Sequence, residues 1–383
     1  MRLPTIGFNR RMYTAVDHQW MRQALAEANK SLYLSNPNPR VGCVIVKDAL
    51  VIGCGHTQKV GGPHAEVCAL ADARTQGFDV AGSTIYVTLE PCNHTGRTPP
   101  CVDALIAAQP AKVVVAMSDP NPLVAGKGLE RLKAAGIEVR CGLMEKDARL
   151  LNQGFISRMT RGLPWVRMKI AASLDGKTAL PNGHSQWITG ALARADGHHW
   201  RAQACAIVTG VGTVKEDNPS LNVREVATER QPWKIIIDSK LETPWDAKLF
   251  QDTNLSKVIL VCAELNTPEK RATAAIFEAR GIEVIAMPNP QGKVDLPSLF
   301  AYLAQKRELN EIHVEAGFKL NGSLIREGCV DELLLYYAPF FMGEGIGMAN
   351  ISLPSLEQRQ NWQIIDQQLF GADLRIRLLQ SSK

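Results

Sequence analysis

The sequence predicts an α/β protein of two domains, the first a three-layer α/β/α sandwich. Three observations point there. The chain has 383 residues, beyond the ~250–300 at which a single hydrophobic core stops growing. Short β-branched apolar runs alternate with helical segments along most of it, the order expected of α/β layers. That alternation weakens between about Glu145 and Pro164, where Lys146, Arg149, Arg158 and Arg161 gather.

From the N-terminus, the first ten or so residues read as a loose tail. Asp17 to about Asn29 reads as a helix, since Trp20, Met21, Ala24, Leu25 and Ala28 recur on one face. Val41–Val46 is expected as a buried strand with Leu50–Gly53 as its hairpin partner. His64–Arg74 is a short helix, apolar nearly all round and therefore buried. The strand Thr84–Leu89, the helix Val102–Ala108, the strand Lys112–Ala116 and a helix–strand pair ending near Val139 complete the first domain. Pro164 opens a new strand, Trp165–Ala171. Further strands are expected near 205–209, 234–237, 258–262, 311–314 and 333–338, with helices between. The domains are placed at 1–150 and 151–383, and no internal repeat relates them.

Composition narrows the function. A hydrophobic content of 45% and a charged content of 21% are those of a soluble globular protein. The net charge of +5 comes from 43 basic against 38 acidic residues, without runs of like charge. That balance suits a phosphorylated small-molecule substrate; a nucleic-acid partner would call for a concentrated basic stripe. No membrane partner is expected. The longest apolar run, Leu333 to Met342, is broken by Pro339 and falls short of the ~20 residues of a membrane helix. Nine cysteines, an odd number, and no apolar export signal behind Arg2, Arg10 and Arg11 point to a reducing cytoplasm.

The strongest local signal is His64-Ala65-Glu66 followed by Pro91-Cys92 and by Cys101. One imidazole and two thiolates form a three-ligand zinc site whose fourth tetrahedral position is open, as catalytic zinc requires. Such zinc lowers the pKa of a bound water toward 7 and supplies hydroxide. Glu66, two residues from a ligand, can move the proton from water to a leaving amine. The H-x-E…P-C…C order is that of zinc deaminases acting on nucleobases. Taken singly, His-x-Glu or two spaced cysteines are commonplace; together at successive strand-to-helix turns they specify chemistry. Cys68, one helical turn after His64, reads as a small core residue. So do Cys43, Cys54, Cys141, Cys205, Cys262 and Cys329.

Eight residues, Asn93 to Pro100, separate the two cysteines, whereas the nucleoside-deaminase signature has two. The strings PCNHTGRTPPC, NPNPRVGCVIV and GGPHAEV resemble the bifunctional riboflavin-biosynthesis RibD family, a pyrimidine deaminase fused to a reductase. MKIAASLDGKTAL, SQWITG, IVTGVGTVKEDNPSL and HVEAGFKLNGSLI resemble the reductase half of that family in the same order, so the resemblance spans nearly the whole chain. The chain has Cys68 where the family commonly has His. The resemblance implies a cytidine-deaminase-like first domain and a dihydrofolate-reductase-like second one. It implies zinc-hydroxide deamination of 2,5-diamino-6-ribosylamino-4(3H)-pyrimidinone 5′-phosphate, then NADPH reduction of the ribosyl chain to 5-amino-6-ribitylamino-uracil 5′-phosphate. One Zn²⁺ per chain, NADPH as cofactor and a homo-oligomer are part of the same expectation.

By that resemblance Asn38, His56, His94 and Arg97 line the deaminase pocket. Their chemistry is compatible: asparagine pairs with a pyrimidine edge and arginine with a phosphate, although Asn38 in its Asn-Pro-Asn-Pro stretch also suits a turn. In the second half, Ser185, Arg201, Leu221, Arg224 and Glu315 match substrate contacts. Ala171, Trp187, Thr213, Asp217, Ser239 and the run Gly317, Phe318, Lys319, Leu320, Asn321, Gly322, Ser323 match cofactor contacts. No G-x-G-x-x-G follows a first strand. The strand Glu311–Glu315 running through Gly317 into a helix supplies a weaker phosphate-binding turn. No residue there is an obvious acid or base for the reduction, so positioning of nicotinamide against the sugar carries it.

Two other readings use the same residues. A free-base, nucleoside or tRNA deaminase with an appended binding domain is disfavoured by the long insertion between the cysteines. A non-catalytic module with structural zinc is disfavoured by Glu66, for which a closed site has no use. Working of only one half is disfavoured by the intact motifs in both.

Overall fold

Thr14 caps the first helix, α1 (Ala15–Asn29): its hydroxyl accepts from the Asp17 N–H while the Asp17 carboxylate accepts from Thr14, a closed capping box. The computed structural model describes residues 13–94, 99–122, 124–251 and 254–381; the N-terminal tail lies outside them. The chain divides into two units at Thr160/Arg161.

In the first unit β1 (Gly42–Lys47) and β2 (Leu50–His56) form a hairpin. Its turn residues Asp48 and Ala49 hold φ of 51° and 60°, the primed geometry that matches strand twist. Helix α2 (Ala65–Thr75) returns the chain to β3 (Thr84–Val87), antiparallel to β1. Helix α3 (Cys101–Ala108), β4 (Lys112–Val115), helix α4 (Lys127–Ala134) and β5 (Glu138–Cys141) continue as parallel crossovers. The sheet order is β2-β1-β3-β4-β5. Close approach fixes the layers. A Cβ on Gly42 would lie 1.9 Å from the Ala24 carbonyl oxygen of α1, and one on Gly55 would lie 2.5 Å from the Ala65 oxygen of α2. Gly42 and Cys43 face opposite sides of β1, and they pair with His56 and Gly55, so α1 and α2 cover opposite faces of the sheet. The core between them is apolar, with Met21, Ile45, Ile85 and Leu105 fully enclosed.

The weakly patterned stretch after Glu145 is two helices, α5 (Glu145–Leu151) and α6 (Gln153–Arg161). It belongs to the first unit. Phe155 and Ile156 pack on its core, and the Asn152 amide bonds both backbone groups of Arg40 at 2.8 and 2.9 Å. A division at 150/151 would cut α5, so the boundary falls later than expected.

The second unit opens with β6 (Trp165–Ser173) and the short β7 (Lys177–Ala179), then α7 (Ala191–Gln203), β8 (Ala206–Gly210), α8 (Val211–Asp217) and β9 (Trp233–Ile237). It continues through β10 (Val258–Cys262), α9 (Pro268–Glu278), β11 (Glu283–Ala286), α10 (Leu296–Lys306), β12 (Glu311–Val314), α11 (Phe318–Arg326) and β13 (Glu332–Ala338). The last strands are β14 (Ile346–Gly347), β15 (Trp362–Phe370) and β16 (Asp373–Gln380). Nine strands form one sheet, β11-β10-β9-β8-β12-β6-β13-β16-β15, parallel except for the β16 and β15 edge. Sequence reading missed β7, β11, β14 and the closing β15–β16 hairpin. β15 alternates little because most of its side chains are exposed on both faces.

The two faces of this sheet differ in chemistry. One is apolar: Val166, Met168, Ile312 and Val314 pack against Leu299 and Leu303 of α10 and Leu324 of α11. The other carries charges under α7. Arg167 lies 4.3 Å over the Trp200 ring and 3.0 Å from the Glu332 carboxylate, which also accepts from Arg377 at 2.8 Å. Tyr336 and Arg375 both donate to Asp196 of α7, at 2.6 and 2.9 Å. Buried charges persist only when paired in this way. Among the described residues no helix is long and apolar enough to cross a membrane, and all nine cysteines are free thiols.

Candidate active sites

The turns that enter α2 and α3 bring His64, Cys92 and Cys101 together. His64 is the N-cap of α2 with extended backbone, Glu66 is in the first turn of that helix, and Cys101 is the first residue of α3. Cys92 sits in the loop beyond β3. The ligand atoms lie within 4.8 Å of one another: His64 Nδ1 is 3.1 Å from Cys101 Sγ and 3.6 Å from Cys92 Sγ. Zinc bonds of about 2.0 Å to nitrogen and 2.3 Å to sulfur in a tetrahedron would put these atoms roughly 3.5–3.8 Å apart. The donor set and its spacing therefore fit a zinc ion with one position left over.

Electrostatics suit the same purpose. The Cys92 thiol is pulled down to about 4, first by the hydrogen bond it shares with Cys101, then by His64; its sulfur also accepts the Cys101 N–H at 3.2 Å. The same contact pushes the Cys101 thiol up, and the Cys92 partner raises the His64 imidazole. Glu66 is only 4% exposed, and burial lifts its carboxyl to about 7. A carboxyl poised near neutrality can both take and return a proton.

Sequence reading overlooked the group behind Cys92. Glu90, buried, accepts three backbone N–H bonds: Asp119 at 3.1 Å, Gly126 at 3.0 Å and Gly128 at 2.9 Å. It thus fastens the ligand loop to the segment that enters α4. Gly128 must lack a side chain, because a Cβ there would meet the Pro91 oxygen at 2.3 Å. Burial lifts the Asp119 carboxyl to about 6, with Glu90 beside it and His94 and Cys92 close enough to act on its charge. The one available signal was the Asp119-Pro-Asn-Pro string, which repeats the pattern of Asn36-Pro-Asn-Pro.

Of the other expected pocket residues, Asn38 closes a turn, its N–H donating to the Ser35 oxygen at 2.8 Å. His94 is exposed beside the cluster. Arg97 lies outside the described residues. His56, the last residue of β2, pairs with Gly42 and faces α1, where its Nδ1 is 3.7 Å from Glu27 Oε2; its neighbour Gly55 lies against Ala65 at the start of α2.

In the second unit the expected substrate residues Arg201, Arg224 and Glu315 converge. Arg201 grips Glu315 with both Nε and Nη2, the latter at 2.7 Å, and its Nη1 reaches the Asn222 oxygen at 3.2 Å. Arg224 bonds the Asn222 side chain at 3.1 Å, and Leu221, buried at φ 49°, starts that loop. Burial alone would raise the Glu315 carboxyl, but Arg201 holds it well below the usual range. Ser185 instead joins an expected cofactor residue, donating to Asp217 at 2.9 Å.

Most expected cofactor residues gather at the C-terminal ends of four neighbouring strands, β9-β8-β12-β6, the usual ligand edge of an open α/β sheet. Ser239 follows β9, Thr213 follows β8, Gly317 follows β12, and Ala171 lies on β6. Gly317 and Thr213 adjoin: a Cβ on the glycine would lie 3.7 Å from the threonine hydroxyl. Trp187 is exposed, with the Arg194 guanidinium 4.6 Å over its ring. The run from Gly317 divides. Gly317, Phe318, Lys319 and Leu320 form the turn and first turn of α11, where backbone N–H groups are free for a phosphate. Asn321 and Gly322 face the 348–350 segment: the Asn321 amide donates to the Met348 oxygen at 2.9 Å, and a Gly322 Cβ would strike the Asn350 oxygen at 2.2 Å. Ser323 lies beyond the first turn, its hydroxyl 3.4 Å from the Lys319 oxygen. Two residues beside this edge were not singled out from sequence. Lys169 of β6 has its amine lowered by burial within the field of Glu315 and Arg201, and His313, fully buried, has Nε2 3.4 Å from Glu315.

Comparison with known proteins covers both units. Residues 14–117 match the cytidine and deoxycytidylate deaminase zinc-binding region, and residues 164–376 match the RibD C-terminal domain. The chain is 43% identical over 348 residues to riboflavin biosynthesis protein RibD of Escherichia coli (strain K12), covering 89% of this chain and 92% of that protein. It is 40% identical over 347 residues to RibD of Aquifex aeolicus (strain VF5), covering 91% and 94%. Among solved structures, Acinetobacter baumannii RibD (form 1) superposes with a TM-score of 0.85 at 41% identity, over 96% of this chain and 99% of that one. The Thermotoga maritima diaminohydroxyphosphoribosylaminopyrimidine deaminase/5-amino-6-(5-phosphoribosylamino)uracil reductase gives 0.84 at 31% identity, again over 96% and 99%.

Proposed function

The chain belongs to the RibD family of riboflavin biosynthesis, deaminase and reductase in one polypeptide, and from that premise we propose a specific chemistry for each unit. The first hydrolytically deaminates 2,5-diamino-6-ribosylamino-4(3H)-pyrimidinone 5′-phosphate. The second reduces the resulting ribosyl chain to ribityl, giving 5-amino-6-ribitylamino-uracil 5′-phosphate. The observation that carries this reading is the convergence of His64, Cys92 and Cys101 with the buried carboxyl of Glu66 in the first turn of the same helix.

His64, Cys92 and Cys101 would hold one zinc ion. Zinc, when bound, acidifies a water molecule toward neutrality. Glu66, whose carboxyl lies near 7, would be the group that takes up a proton and returns it to the departing amine. Asn38, His56, His94 and Arg97 would hold the pyrimidine and its phosphate, with Asp119 at their side. In the second unit Arg201 and Arg224 clamp the 5′-phosphate, with Ser185 and Leu221 lining the sugar. NADPH, when bound, supplies the hydride. The residues that would hold it are the turn from Gly317, with Thr213, Asp217, Ser239, Ala171 and Trp187. Glu315, held by Arg201, is the remaining substrate contact of this unit. Nine free thiols support work in a reducing cytoplasm, and family membership supports a homo-oligomer.

The test is a two-channel assay on the purified protein with the diamino-pyrimidinone ribosyl phosphate, following ammonia and NADPH separately in wild type and Glu66→Ala. Loss of ammonia release alone, with reduction of pre-deaminated substrate intact, is the expected result. A zinc-loaded wild type that releases no ammonia would defeat the catalytic reading.

A further inference from the structure

Cys92 and Cys101 are eight residues apart along the chain, counting those between them. Two ligands separated by two residues are kept near each other by the chain itself. A longer intervening segment has more arrangements in which its ends are apart, and closing it costs more entropy. The two ends therefore need holding from outside the segment.

Arg131 of α4 makes contacts suited to that task. Its Nη1 donates to Asn93 Oδ1 at 2.6 Å, and its Nη2 donates to Asp103 Oδ1 at 2.5 Å. Asn93 is the residue after Cys92, and Asp103 lies in the first turn of α3, two residues after Cys101. A single planar guanidinium thus ties the two segments that carry the cysteines, and its fixed fork sets their spacing as a flexible ammonium does not. The helix that bears it is itself anchored beside Cys92, because the Glu90 carboxylate holds the Gly126 and Gly128 N–H groups at the start of α4. The Arg131 and Asp103 side chains are 43% and 52% exposed. A pair so exposed adds little to folding stability, and the consequence of the contact is local geometry.

We propose that Arg131 is a positioning residue of the metal centre, a strut across the mouth of the inserted segment that keeps Cys92 and Cys101 at ligating distance and slows the loss of zinc. This rests on the reading of His64, Cys92 and Cys101 as zinc ligands.

The experiment uses full-length wild type, Arg131→Ala and Arg131→Lys, each loaded with zinc and challenged with a chromophoric chelator. Zinc-free samples of all three are melted in parallel. The alanine variant is expected to release zinc about tenfold faster, the lower end of the range for residues that orient metal ligands. The lysine variant, reaching one partner at a time, falls between. Zinc-free melting temperatures coincide, and reduction of pre-deaminated substrate is unchanged. Zinc release at the wild-type rate from Arg131→Ala overturns the strut. So does an equal loss of melting temperature in the zinc-free variant, which would make the contact merely structural. A wild type that binds no stoichiometric zinc overturns the ligand reading itself, and is thereby distinguished from failure of the strut alone.

Discussion

At Glu66 burial works against charge and holds the carboxyl near 7, a value that suits a group that both takes and returns a proton. Glu66→Gln keeps the volume and removes the base. Ammonia release is expected to fall by roughly 10²–10⁴-fold while zinc content, read by atomic absorption, stays at the wild-type level. His198 shows the opposite sign in the second unit. It is buried beside Arg201 and Arg224 and accepts the Arg224 N–H at 3.4 Å. Burial first, and then the two arginines, push its imidazole from 6.5 down to about 4. Between those values the unfolded chain binds a proton that the folded chain refuses. Stability therefore rises with pH across the window and is lost as pH falls through it, by about 3 kcal/mol at most. Chemical denaturation between pH 4 and 7 should show that slope in wild type and a flatter one in His198→Gln; equal slopes would remove His198 as its source. The metal residues were legible because their types and spacing name a chemistry. The direction of His56 was not, since it depends on which face of β2 the residue occupies, and that is set by its pairing with Gly42.

Whether a segment is a helix or a strand was readable where one face is buried, and obscure where neither or both are. β10 coincides with the expected 258–262, and β12 with 311–314. The β15–β16 hairpin escaped notice because β15 is the exposed edge of its sheet and carries little alternation. The α5 and α6 helices escaped because their basic residues masked the apolar positions, Phe155 and Ile156, that pack on the first core. How closely elements approach was not readable at all. Gly42 lets α1 lie directly on β1, since any Cβ there would sit 1.9 Å from a helix oxygen. Gly42→Ala must push the helix away and is expected to cost about 2 kcal/mol or more, read as a lower denaturant midpoint with an unchanged slope. An alanine variant as stable as wild type would show that α1 is free to shift.

For the whole molecule the consequence of two units is separable chemistry. Removing zinc with a chelator is expected to abolish ammonia release and leave NADPH-dependent reduction of pre-deaminated substrate in place. Parallel ammonia and absorbance assays check this, and loss of both activities together would mean that the units do not work independently. The sequence by itself determined the class of fold, the existence of two domains, the His64, Cys92 and Cys101 group that converges in the structure and the family, because all of these are written in local periodicity and in strings of neighbouring residues. Only the tertiary structure decided where the first unit ends, that Glu90 and Arg131 brace the segments carrying Cys92 and Cys101, that Arg201 is paired with Glu315, and that the part of the second sheet beneath α7 is ionic. Each of these joins residues far apart in the chain, such as Arg201 and Glu315, 114 positions apart. Contacts of that kind follow from strand order and from which face a side chain takes, and neither is a property of any short stretch of sequence.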